Sequence, residues 1–229
     1  MNITGHLIKA IFIERSNRYL SLIQLDNHII EAFIPNPGRM KELLIKGVSV
    51  LIKEAGHIYR KTAYDLMAVH YNNEWVCIDS RIPNKIINNL LLKKSLKEFT
   101  KYINIKSEAK YLSSRFDFFL SGCGKGCFIE AKSCTLVENG IALFPDAPTK
   151  RGTKHLYELI HAVKEGYEAY VIIVIQRGDA NIFMPNKLMD PEFATAMKNA
   201  IENQVNVIAI STILCDNEIR FNNRVEVTL

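Results

Sequence analysis

Residues 114–133, S-R-F-D-F-F-L-S-G-C-G-K-G-C-F-I-E-A-K-S, decide how the rest of the chain is read. Two apolar runs, Arg115 to Leu120 and Cys127 to Ala131, flank the glycine-bearing connection Ser121 to Gly126, which predicts a β-hairpin with a loose turn. Side chains alternate along a strand, so Glu130 and Lys132 share one face while Ile129 and Ala131 point to the other. Asp117 stands alone among Phe116, Phe118 and Phe119, and pairing of the two strands brings it beside Glu130. Two carboxylates on adjacent strands of an apolar sheet repel one another and lose hydration unless a cation sits between them. Oxygen ligands suit Mg2+ or Mn2+. The competing reading is a set of structural charges at a sheet edge.

The pattern of an Asp followed by Glu-x-Lys is common, and this chain contains a second copy, Asp79 with Glu108-Ala109-Lys110. The glycine turn, the apolar strands on both sides and the aromatic setting of Asp117 favour the copy at Glu130.

At 229 residues, 48% of them hydrophobic and 23% charged, the chain is long enough for one large or two small domains of ordinary globular composition. It contains no apolar run of membrane-spanning length and its N-terminus lacks a secretory pattern, so the expected location is the cytoplasm, with no membrane partner. The cysteines at 77, 123, 127, 134 and 215 have no paired zinc spacing, and reduced thiols are expected even for Cys123 and Cys127, which bracket the hairpin turn. The net charge of +5 is concentrated: residues 81–115 carry nine Lys and Arg against two acids. A positive segment leading into a carboxylate site suits a polyanionic substrate, although charge runs are often only solvated faces.

Five strand candidates precede residue 80: His6–Glu14, Tyr19–Leu25, His28–Pro35, Gly47–Glu54 and Trp75–Asp79, which suggests a small barrel of the oligonucleotide-binding (OB) type. Residues 37–44 read as a tight turn into a short helix, with Arg39 and Lys41 placed to touch phosphate. Asp79 to Asn84 reads as a linker, dividing the chain into a barrel domain, 1–82, and an α/β domain, 83–229. Lys85 to Tyr102 predicts a basic amphipathic helix carrying Lys93, Lys94, Lys97 and Lys101. Residues 103–112 then predict a strand, and Phe144 to Gly152 a loop. Thr153 to Tyr167 predicts a helix whose entry gathers Lys150, Arg151, Lys154 and His155. The run A-Y-V-I-I-V-I, 169–175, predicts a strand buried on both faces, closed by Gln176 and Arg177 at the end where polar sites of open α/β sheets usually lie. A helix over 191–203 and strands over 205–210 and 220–227 complete the chain. Phe116, Phe118 and Phe119 read as core, Tyr19, Tyr59 and Tyr64 as stacking candidates on the barrel, and Trp75 as a filler of the barrel or its interface.

The segments I-P-N-P-G-R-M-K-E-L-L (34–44), W-V-C-I-D-S-R-I-P-N (75–84), S-R-F-D-F-F-L (114–120), I-E-A-K-S-C-T-L-V (129–137), F-P-D-A-P-T-K-R-G-T-K-H-L (144–156), V-I-Q-R-G-D-A (174–180) and D-P-E-F (190–193) resemble the sugar fermentation stimulation protein A family, in the family's order. Pro37 and Cys134 depart from the family's usual threonine and valine. The resemblance implies an N-terminal OB barrel, a C-terminal domain of the PD-(D/E)xK nuclease type with a mixed sheet, and DNA binding without strong sequence preference. It places the nuclease motif on Asp117, Glu130 and Lys132, and Glu108 as an additional acid.

On this reading Asp117 and Glu130, with the carbonyl of Ala131, hold Mg2+ or Mn2+, Lys132 serves the reaction, and Gln176 positions substrate or water. The basic residues Arg39, Lys41, Lys93, Lys94, Lys97, Arg115, Lys150, Arg151, Lys154 and His155 grip DNA, double- or single-stranded. The assembly state is left open, a homodimer included. The alternative is a non-catalytic DNA-binding regulator of sugar fermentation genes, such as those of maltose metabolism, with a silent nuclease-like domain.

Overall fold

A computed structural model describes residues 1–3, 5–56, 60–122 and 124–229. Tyr59 and Cys123 lie outside the described residues. Cys77, Cys127, Cys134 and Cys215 are free thiols.

The N-terminal barrel is built from β1 (Leu7–Asn17), β2 (Leu20–Leu25), β3 (His28–Phe33), β4 (Ser49–Glu54) and β5 (Tyr64–Tyr71). Pairing runs β1-β2-β3-β5-β4 and closes from β4 back to β1, with β3 and β5 parallel and the other pairs antiparallel. Closure removes the exposed edges that an open five-stranded sheet would leave. Phe12, Ile23, Ile34, Ile52 and Leu66 fill the interior. The closing strand, β5, was not among the sequence candidates. The predicted strand at Trp75–Asp79 is instead β6 (Glu74–Cys77), which pairs with β5 outside the ring of five.

Residues 37–44 form no helix. The amides of Leu43 and Leu44 both bond the Met40 carbonyl, at 3.1 and 2.9 Å, in a single turn. Met40 holds a positive φ of 48°, which breaks any helical run before it begins.

The helix predicted over 85–102 is shorter and starts earlier, as α1 (Ile82–Leu92). It ends because Lys94 adopts φ 52° and the Ser95 amide reaches back to the Leu90 carbonyl at 2.9 Å, a Schellman closure with Lys where Gly is usual. Lys93, Lys94, Lys97 and Lys101 therefore lie beyond the helix rather than along one face of it.

The second half is a mixed sheet ordered β7 (Asn104–Tyr111), β8 (Ser114–Ser121), β9 (Cys127–Cys134), β12 (Glu168–Ile175), β14 (Asn206–Cys215) and β15 (Glu218–Val227). The β9–β12 and β12–β14 pairs are parallel and the rest antiparallel. A small flap of β10 (Val137–Glu138), β11 (Ile141–Phe144) and β13 (Ile182–Pro185) joins β15. Two helices, α2 (Lys150–Lys164) and α3 (Pro191–Glu202), pack on one face, and α1 packs on the other. The run predicted to be buried on both sides is β12: Tyr170, Ile172 and Val174 enter the core under α1, while Ala169, Val171, Ile173 and Ile175 enter the core under α2 and α3.

Helix α2 begins three residues before its predicted start. The Thr149 side chain accepts from the Gly152 amide at 3.1 Å and caps it, so Lys150 and Arg151 sit in the first turn rather than in a loop. Among the described residues no helix is long and apolar enough to cross a membrane.

Candidate functional site

The register of the hairpin fixes the site. Phe118 faces Ile129 and Phe119 faces Phe128, so the next position in register sets Asp117 opposite Glu130. On the other side of β8, Ser107 faces Phe118 and Ala109 faces Phe116, which sets Glu108 opposite Asp117. Three acids therefore cross three adjacent strands in one row. Glu108 holds φ 56°, a left-handed conformation in the middle of a strand, and the ladder is interrupted there.

Asp117 accepts a bond from the Ala131 amide at 2.7 Å and from Asn84 Nδ2 at 2.5 Å. Burial, and then the charge of Glu130, push its carboxyl up to about 6. Glu130 is more buried, at 4% exposure. Its Oε1 receives Lys132 Nζ at 2.5 Å and lies 2.6 Å from His155 Nδ1. Burial raises this carboxyl, but Lys132 and His155 together outweigh burial and hold it below its ordinary value. The tautomer of His155 follows from its partners: Nδ1 faces an acceptor-only carboxylate and so carries hydrogen, while Nε2 accepts from Arg151 Nε at 3.4 Å.

All this bonding converges on one oxygen. Glu130 Oε2 is buried and has no partner. An orphaned carboxylate oxygen beside a second carboxylate destabilised by its neighbour is a donor set that fits a hard divalent cation. Asp117 and Glu130 would hold it.

Asp117 and Glu108 open onto a cleft of about 770 Å3, whose lining does not include the buried Glu130. Of the predicted DNA contacts, Arg115, Lys150, Arg151, Lys154 and His155 line it with Asp117 and Glu108, and Lys110 adds a further cation. Arg39 and Lys41 are exposed on the barrel turn, and Lys93, Lys94 and Lys97 are exposed after α1; none of the five lines the cleft. Ala131, Lys132 and Ser133 also border a narrower groove of about 240 Å3, whose opposite wall is the barrel turn at Asn36, Pro37 and Gly38.

Gln176 does not line the cleft. It is 1% exposed, accepts from Ser133 Oγ at 2.7 Å and donates to the Cys77 carbonyl at 2.8 Å, tying β12 to β9 and to the end of β6. Asp79, the acid of the other Asp/Glu-x-Lys pattern, is held by Arg81, whose Nη2 lies 2.7 Å from Oδ2.

Sequence reasoning passed over Asn84 and Lys110. Asn84 stood in the linker at the end of the 75–84 segment, and no spacing rule connects it with Asp117, 33 residues on. Phe116 and Phe118 are core as expected, at 0% and 2% exposure. Tyr19 is 45% exposed and stacks on Phe33, Tyr64 packs against the barrel core, and Trp75 lies at the seam where β6 meets β14.

The chain is a closed OB barrel followed by an α/β domain with a mixed sheet, and the paired acids Asp117 and Glu130 lie in the second of these. Residues 81–218 match the sugar fermentation stimulation protein RE domain, and residues 13–78 match the SfsA N-terminal OB domain. The chain belongs to the sugar fermentation stimulation protein family. It is 42% identical over 223 residues to a sugar fermentation stimulation protein homolog of Desulforamulus reducens, covering 97% of this chain and 93% of that one. A Clostridium kluyveri homolog is 40% identical over 225 residues, with 98% of each chain covered. Pyrococcus furiosus SfsA, solved in complex with Ca2+, superposes with a TM-score of 0.93 at 29% identity over 100% of this chain and 98% of that one.

Proposed function

We propose that this protein is a DNA-binding phosphodiesterase of the PD-(D/E)xK type, dependent on a divalent cation, Mg2+ or Mn2+, and with little sequence preference. The observation that carries the reading is the bare, buried Glu130 Oε2 next to the destabilised carboxyl of Asp117, which itself lines a cleft with Lys110, Arg115, Lys150, Arg151 and Lys154. That Pyrococcus furiosus SfsA was solved in complex with Ca2+ supports a divalent cation as the bound group.

Asp117 and Glu130 hold the cation, the Ala131 carbonyl assists, and Glu108 contributes from the cleft wall. When bound, the cation supplies a Lewis acid that polarises the scissile phosphate and acidifies a nearby water. Asn84 and the Ala131 amide fix the Asp117 carboxyl, and His155 fixes that of Glu130. Lys132 orients the water or stabilises the charge that grows on the phosphoryl oxygens. Gln176 acts from behind, holding Ser133 next to Lys132. The lysines and arginines of the cleft position the backbone without reading bases. The barrel domain, residues 1–82, contributes the wall facing Lys132, and the α/β domain, residues 83–229, contributes the reacting groups.

Labelled linear, circular and single-stranded DNA, incubated with wild type, Glu130→Ala and Lys132→Ala in Mg2+ or Mn2+, tests the assignment alongside binding measured across salt in a chelator. Loss of cleavage in both variants with binding retained supports it. Binding by wild type without cleavage of any form sinks it in favour of a non-catalytic DNA-binding regulator.

A further inference from the structure

The connection from β7 to β8 turns on Leu112 and Ser113, closed by the Tyr111–Ser114 pair. Two-residue hairpin turns select Asn, Asp or Gly where φ is positive. Leu112 sits at φ 48°, a region that disfavours any ordinary side chain bearing a Cβ. No burial compensates, because Leu112 is 62% exposed. A residue that breaks the turn rule and the burial rule together marks a place where something other than folding sets the sequence.

The turn is held firmly. Ser113 Oγ donates to Glu158 Oε1 on α2 at 2.8 Å, and the Tyr111 hydroxyl donates to Glu165 Oε2 at 2.7 Å. Leu112 therefore projects from a fixed base. On one side of it lies the cleft with Asp117; on the other lies an open hollow of about 660 Å3 bordered by Thr153 and Tyr157 of α2. Lys150 and Lys154 line both spaces, Glu158, His161 and Glu192 line the hollow alone, and Tyr157 is 49% exposed. An apolar ridge and an aromatic ring thus stand beside a rim of cations that also borders the carboxylates. That rim favours a polyanion over an apolar protein partner.

We propose that Leu112 is a wedge and Tyr157 a stacking platform for an unpaired base, so that the strand entering the cleft is single-stranded at the phosphate to be cut. This rests on the reading of the cleft as a phosphodiester site. A phosphate drawn to Lys150 and Lys154 leaves its own or the adjoining base beside Leu112 and Tyr157. A base inside an intact duplex has both faces covered and cannot stack on a protein ring. Stacking on an aromatic side chain tolerates any base, and inserted aliphatic side chains unstack steps at duplex ends. The substrate class is single-stranded DNA, or the frayed end of a duplex.

The test uses a single-stranded oligonucleotide carrying 2-aminopurine and its blunt duplex, titrated with full-length protein in Ca2+. Wild type is expected to bind the single strand at least about tenfold more tightly than the duplex and to quench the 2-aminopurine. Leu112→Asn and Tyr157→Ala are expected to weaken single-strand binding about tenfold and reduce the quenching, with duplex binding unchanged. Leu112→Asn suits the turn, so its melting temperature is expected to equal or exceed that of wild type. Equal affinity for the two forms, or variants that bind and quench as wild type does, overturns the proposal. Intact preference and quenching without cleavage of any DNA in Mg2+ or Mn2+ supports this inference while sinking the hydrolytic reading.

Discussion

The tripeptide Glu-Ala-Lys occurs twice, on the two strands that flank β8, and Asp117 lies in register between the copies. Chemically they are the same, and their surroundings differ completely. Glu108, on the edge strand β7, is 63% exposed and meets Arg115 at 3.3 Å, an arrangement that water and salt screen to a small effect. Glu130, on β9 with strands on both sides, is 6% exposed at its side chain, and its Lys132 is 12% exposed. In water a carboxylate needs nothing further. In the interior it is paired with Lys132 and His155, which leave its second oxygen bare. Burial is what separates a site from a common triplet.

The largest effect expected is at the buried copy. Glu130→Gln should lower cleavage by about a thousandfold or more and abolish cation binding by calorimetry, whereas Glu108→Gln should cost less than about tenfold. Equal losses would erase the distinction. Lys132→Ala should cost about a hundredfold in rate while DNA affinity in chelator holds steady.

Next comes Asp117, through stability. Its folded carboxyl titrates near 6 against 3.8 for the ordinary group, so between those values the folded state keeps a proton that the unfolded chain has released. Stability therefore falls as pH rises through this window and stays low above it. Asp117→Asn should gain on the order of 2 kcal/mol at pH 7.5 in EDTA and little at pH 4, read from denaturant melts. A gain of the same size at both pH values would remove the charge argument.

Smaller still, Lys150→Ala and Lys154→Ala should each weaken DNA binding several-fold and reduce the slope of log affinity against log salt by about one. Smallest, Arg115→Ala should change folding stability by less than about 0.5 kcal/mol despite removing the Glu108 ion pair.

Much of the site was legible because strands keep strict register. Alternation put Glu130 and Lys132 on one face, and a hairpin with a turn at 121–126 put Asp117 against Glu130. The buried run at β12 was legible for a similar reason: an unbroken apolar stretch fits only a strand covered on both faces. What escaped depended on local backbone choices that composition does not reveal. The apolar positions after Leu92 continued a helical pattern, yet Lys94 adopts the left-handed conformation, and Leu96, Phe99 and Tyr102 are buried from a short 3-10 turn, Lys97–Phe99, and its flanks rather than from a continued α-helix. Strand β5 hid because its unbroken apolar run is only Leu66–Val69, too short to be told from a turn of buried helix, whereas that of β12 extends over Ala169–Ile175. Asn84 escaped because its partner comes from tertiary packing of α1 against β8.

The seam between the two halves is made of backbone. Strand β6 pairs with β5 of the barrel and, at Trp75, with Leu214 of β14, while Gln176 bonds the carbonyls of Cys77 and Asp79 just beyond. On the far side Gly38 lies so close to Asp146 that a Cβ there would fall 2.5 Å from Oδ2. The segment joining barrel to α/β domain has no slack on which to swivel. The protein has the build of a single casting rather than a pair of jaws, and the groove that Lys132 shares with the barrel turn has walls fixed to one frame.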